Sequence, residues 1–127
     1  MTEKTLVITG MGAVTPIGIG VAAYWEALKA GRCGVGPITR FDASGLPVQI
    51  AAELKGFAPV DHMPKALART MDPFMQFAFA AAQEALGNSG LSVSGEPDRI
   101  GIVMGTAMDG VTTVAQTQSA FDAGHRV

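Results

Sequence analysis

The chain has 127 residues, 48% of them hydrophobic and 16% charged, with 16 glycines and a formal net charge of -2. A near-neutral balance without a basic stripe gives no support to nucleic-acid binding or to electrostatic attachment to a membrane. No apolar run reaches the ~20 residues of a membrane span, and Met1-Thr2-Glu3-Lys4 lacks the regions of a secretory signal, so a cytoplasmic protein is expected.

Mean hydropathy is +0.30. A domain of this size buries only ~60–70% of its extended surface. So apolar a composition therefore asks for a partner or for further chain to cover it.

Thr5-Leu6-Val7-Ile8-Thr9 is β-branched and apolar, the composition of a strand buried on both faces. It breaks into Gly10-Met11-Gly12-Ala13-Val14-Thr15-Pro16-Ile17-Gly18, a glycine-spaced turn that leads into a helix over 20–30. Val21, Tyr24, Trp25 and Leu28 fall at helical spacing as one apolar stripe and are expected in the core, with Gly31 as the terminating glycine.

From Arg32 to Pro59 the texture is Gly, Pro and short apolar pieces, an ordered connection anchored by Ile38, Phe41, Leu46 and Ile50, with a short extended segment at 48–54. Cys33 lies here. It has no neighbouring base and no helix N-terminus to lower its pKa, so it is read as a small loop residue rather than a nucleophile. A single cysteine forms no intrachain disulfide, and His62 and His125 supply no metal-ligand spacing.

Residues 64–70 read as a helical turn that projects Lys65 and Arg69, at i and i+4, to one side. Asp72-Pro73 then opens the strongest helix, an N-cap acid followed by proline at the first helical position. Phe74 to Ala82 is apolar nearly all round, which predicts a buried helix ended by Gly87 or Gly90. After a turn at Glu96-Pro97-Asp98, Arg99 to Gly105 reads as a second buried strand. Thr106-Ala107-Met108-Asp109-Gly110 forms the loop into a last helix over 111–123, with Val111, Val114, Gln118 and Phe121 roughly in line. Two strands and several helices imply an α/β chain whose parallel sheet has open edges and apolar faces, part of a larger domain.

Gly18-Ile19-Gly20-Val21-Ala22-Ala23 formally fits the dinucleotide pattern G-x-G-x-x-A. Seven residues, Pro16 among them, separate Gly10 from Gly18, so the backbone does not build the same phosphate cradle. Asp42, where a ribose-binding acid would fall, sits in a turn-rich loop. A nucleotide-binding α/β module is thus a remote alternative.

Several ordered blocks carry a more specific resemblance: Val7 to Gly18, Trp25-Glu26-Ala27-Leu28-Lys29-Ala30-Gly31, Ile38-Thr39-Arg40-Phe41-Asp42, Met71-Asp72-Pro73-Phe74, and Arg99-Ile100-Gly101 leading to Gly105-Thr106. Together they resemble the N-terminal third of the β-ketoacyl-acyl-carrier-protein synthases, above all the type II elongating enzymes. The resemblance implies a thiolase-like layered α/β/α/β/α fold, with residues 1–127 an incomplete N-terminal part of its first half.

The resemblance further implies an acyltransferase of fatty acid or polyketide synthesis, acting without a cofactor, usually as a homodimer. Its partners would be acyl carrier protein and acyl and malonyl thioesters. A cysteine thiolate would take the acyl chain, and two histidines would assist decarboxylation. These groups lie beyond Val127, so no catalytic residue is expected in this chain and the stretch alone should be inactive. Cys33, His62 and His125 match none of them.

Met108 matches the position of an apolar gate to the acyl pocket, and Lys65 and Arg69 match the carrier-docking region. Asp109 departs from the small residue usual after the gate, and Ala107 replaces a glycine common there. The alternative is a non-catalytic partner subunit of the same fold, such as a chain-length factor.

Overall fold

The computed structural model describes residues 5–95, 97–108 and 110–124. Asp109 and His125, together with Glu96 of the expected turn, lie outside the described residues. In chain order the elements are β1 (Val14–Thr15), β2 (Gly18–Ile19), α1 (Val21–Lys29), β3 (Val35–Pro37), β4 (Ile50–Ala52), α2 (Lys65–Ala68), α3 (Pro73–Ser89) and α4 (Val111–Asp122). Short 3₁₀ turns occupy Pro59–Asp61 and Pro97–Arg99.

The four helices fall where the periodicity places them. α1 ends as a Schellman motif: the Arg32 N–H bonds the Ala27 carbonyl at 2.9 Å and the Gly31 N–H bonds the Leu28 carbonyl at 3.0 Å. That closure needs the left-handed φ of 62° at Gly31. α3 starts at Pro73 and stops at Gly90, which is left-handed with φ 69°. Its length of 17 residues makes it the longest helix described.

The ladders differ from the expected strands. β1 pairs antiparallel with β2 across the two-residue turn Pro16-Ile17, Val14 facing Ile19. β3 pairs antiparallel with β4, Val35 facing Ala52 and Pro37 facing Ile50. Neither Thr5–Thr9 nor Ile100–Gly105 belongs to a ladder, and Leu6, Val7, Ile8, Ile102 and Val103 are strongly exposed. An apolar run becomes a strand only where a neighbour accepts its backbone hydrogen bonds. These two runs do not pair with each other, so the expected parallel sheet is absent among the described residues.

The core is correspondingly thin: Ala27, Ala43, Met63 and Ala80 are the buried hydrophobic residues among those described. α3 is half-buried rather than enclosed, with Met75 and Leu86 exposed. The α1 stripe is not core either, since Trp25 is 57% exposed and Leu28 45% exposed. Both line an apolar groove, with Met11 and Ala85 on the opposite wall. The apolar face of α4 is likewise open at Val111, Val114 and Phe121.

The opening glycines serve packing. Cβ atoms on Gly10 and Gly12 would overlap the backbone carbonyl oxygens of Ala85 and Ala81, so the loop lies directly on α3.

Candidate functional site

Glu84 of α3 organises that loop. Its carboxylate accepts hydrogen bonds from the Ala13 N–H at 3.0 Å and from the Val21 N–H, at the first residue of α1, at 2.8 Å. One side chain thereby satisfies a loop amide and an orphan amide at a helix N-terminus, where negative charge also suits the helix dipole. Gly20, with φ 88°, passes against the same carboxylate. A phosphate-binding turn would leave these amides free for a ligand; here a side chain takes them.

The cationic pair stands on a braced turn. The Phe57 and His62 rings stack at 4.9 Å, and Phe57 meets Phe77 of α3 edge-on at 5.0 Å. Met63 is buried beside them in sequence. The Gln76 side-chain amide donates to the carbonyls of Ala68 at 2.8 Å and Met71 at 3.0 Å, tying the end of α2 to α3. Lys65 and Arg69 are both exposed, on consecutive turns linked by the Arg69 N–H to Lys65 carbonyl bond of 3.2 Å. His62 thus packs an aromatic cluster.

An apolar groove of about 440 Å³ runs between Met71, Phe74, Met75, Ala78 and Phe79 and the segment Met104-Gly105-Thr106. Its lining offers methyl, thioether and ring surface, which suits a hydrocarbon chain rather than a charged ligand. Met108 lies just past that segment and is 73% exposed, outside the groove lining.

Three further features escape periodicity. Glu53 accepts from the Thr39 N–H at 2.9 Å, the Thr39 hydroxyl at 2.6 Å and the Arg40 N–H at 3.2 Å, clamping the chain beside the β3–β4 ladder. The Thr39 hydroxyl and amide hold its carboxyl below the ordinary carboxylate value. Asp42 is held low in the same sense by the Ser44 amide. It closes a local turn there, so its side chain is committed to the loop. Cys33 is exposed, with Sγ 4.0 Å from the Val35 carbonyl oxygen.

Solved structures give the class first. The chain superposes with a TM-score of 0.73 and 30% identity on a β-ketoacyl synthase from Burkholderia phymatum, covering 93% of this chain and 30% of that one. It also superposes with a TM-score of 0.68 and 32% identity on the ishigamide ketosynthase/chain length factor, covering 94% and 30% respectively. The fold is thus the α/β fold of the ketosynthases.

The chain belongs to the beta-ketoacyl synthase N-terminal domain family, whose model matches residues 3–126. The 3-oxoacyl-[acyl-carrier-protein] synthase 2 of Coxiella burnetii is 40% identical over 122 residues, which are 95% of this chain. The chain spans about 30% of the length of that relative.

Proposed function

We propose that this chain is the opening part of a condensing enzyme that lengthens an acyl chain by decarboxylative Claisen condensation with malonyl-acyl carrier protein, in fatty acid or polyketide synthesis. The observation that carries this reading is the family match over residues 3–126. In the reaction a thiolate accepts the acyl group and releases the carrier thiol. Malonyl thioester then loses carbon dioxide, and its carbanion forms a carbon–carbon bond to the acyl carbonyl as the enzyme thiolate leaves. No residue of this chain is assigned to the reacting atoms, and the scheme uses no cofactor or metal.

The chain contributes binding surfaces. The groove on α3 takes part of the acyl chain, Met108 gates it, and its flexible thioether adapts to different chains. Lys65 and Arg69 receive the acidic carrier protein by charge complementarity. Residues 1–127 form the first part of a layered thiolase-like half, in a homodimer of the cytoplasm. The open apolar faces of α1 and α4 and the unpaired runs at 5–9 and 100–105 support such covering.

The test is intact-mass analysis of the complete encoded protein after incubation with an acyl-carrier thioester. A stoichiometric acyl adduct is expected. The chain-length factor named in one similar structure motivates a second reading, a non-catalytic partner subunit. That subunit would take no adduct and would support condensation only beside a separate ketosynthase.

A further inference from the structure

Asp72 stands where the sequence expects a helix cap, yet its side chain has another partner. Its backbone does open α3, with its carbonyl accepting from the Gln76 N–H at 3.0 Å. The carboxylate makes no capping bond. Instead Oδ1 accepts a hydrogen bond from the Thr113 hydroxyl in the first turn of α4. Gly110, immediately before α4, lies so close that a Cβ there would overlap the Asp72 carboxylate. The start of α4 is therefore fastened to the start of α3.

Between that fastening and the groove lies the stretch containing Met108. Met104, Gly105 and Thr106 form one groove wall, and Met71, Phe74 and Met75, flanking Asp72, belong to the other. Residues 100–108 have no ladder to fix their backbone, so the tether at Gly110 and Thr113 limits how far this stretch can move.

We infer that Asp72 is a positioning residue: by holding α4 against α3 it fixes the Met104-Gly105-Thr106 wall of the apolar groove and thereby selects acyl chain length. The selectivity rests on the proposed reading of the groove as an acyl site; the tether does not.

Four variants of the complete encoded protein test this. Asp72→Ala and Thr113→Val each remove the bond from one side, Gly110→Ala displaces the carboxylate without deleting it, and Asp72→Asn keeps an acceptor oxygen. Hydrogen exchange needs no activity. Exchange at 106–108 and 110–114 should rise about fivefold in the first three variants and stay near the parent value in Asp72→Asn, with 77–89 unchanged. No rise, or an equal rise along all of α3, overturns the tether.

The ratio of kcat/KM for long and short acyl thioesters should shift about threefold or more in the same three variants and return in Asp72→Asn. A uniform loss across chain lengths overturns the selectivity. A folded parent protein that condenses no acyl thioester overturns the proposed function and the selectivity together, and exchange alone then judges the tether.

Discussion

Glu84 and Val21 are 63 residues apart in the chain, and the Glu84 carboxylate accepts the Val21 N–H at 2.8 Å. The same carboxylate holds the Ala13 N–H at 3.0 Å, so α3 carries the pin for both ends of the opening turn. Glu84→Ala leaves two partly buried amides without their acceptor. It should cost about 2–3 kcal/mol in denaturant unfolding of the complete encoded protein, and Glu84→Gln about 1 kcal/mol. A loss below about 0.5 kcal/mol for Glu84→Ala would show that water replaces the carboxylate.

Gly12 and Gly87 give opposite expectations for one added methyl group. On Gly12 it meets the Ala81 carbonyl, which is helix backbone and cannot yield. Gly12→Ala should destabilise by about 3 kcal/mol or more. On Gly87, inside α3, it meets nothing within 4 Å, so Gly87→Ala should stabilise by about 0.5–1 kcal/mol through helix propensity. Equal effects from the two would contradict the packing described for the opening loop.

Glu53 supplies a pH dependence with a defined sign. Its hydrogen bonds from Thr39 and Arg40 lower the folded-state pKa below the ordinary 4.5. A depressed carboxyl stabilises the fold above the unfolded value, and that contribution is lost as pH falls through the lower folded value. Between about pH 6 and pH 3, Tm should therefore fall more steeply in the parent than in Glu53→Gln. Parallel curves would mean that Glu53 is not linked to folding.

Lys65 and Arg69 lie on one exposed face held by Gln76 and the Phe57–His62–Phe77 cluster. Charge reversal at both should raise KM for a carrier-bound acyl thioester about tenfold and weaken its salt dependence. Turnover of a small, carrier-free thioester should be unaffected. An equal loss with both substrates would place the damage in folding rather than in docking.

Helix positions were legible in the sequence because each signal is local. Asp72-Pro73 and Gly90 bound α3, and Gly31 closes α1 through contacts within one turn. Strand pairing was not legible in the same way. Leu6–Ile8 and Ile102–Met104 have strand composition, but a ladder also requires a neighbour, which composition cannot specify.

The site was half legible. The Lys65/Arg69 spacing follows from the i,i+4 rule, whereas Glu84 and Asp72 act across 63 and 41 residues on partners that no window contains. Asp72 carries a cap signature, and tertiary structure turns its carboxylate to Thr113 instead. The glycines of the opening turn look like a phosphate cradle until Glu84 is seen to take the Ala13 and Val21 amides. Only the three-dimensional placement separates a packing glycine from a ligand-binding one.

The most direct measurement is a condensation assay on the complete encoded protein, purified and shown to be folded. It would be supplied with an acyl-carrier thioester and malonyl-acyl carrier protein, with carbon dioxide and acyl products followed together. Carbon dioxide release matched to a 3-oxoacyl product longer by one malonyl-derived unit is expected. Folded protein that yields neither, alone or beside a ketosynthase partner, would contradict the proposed function.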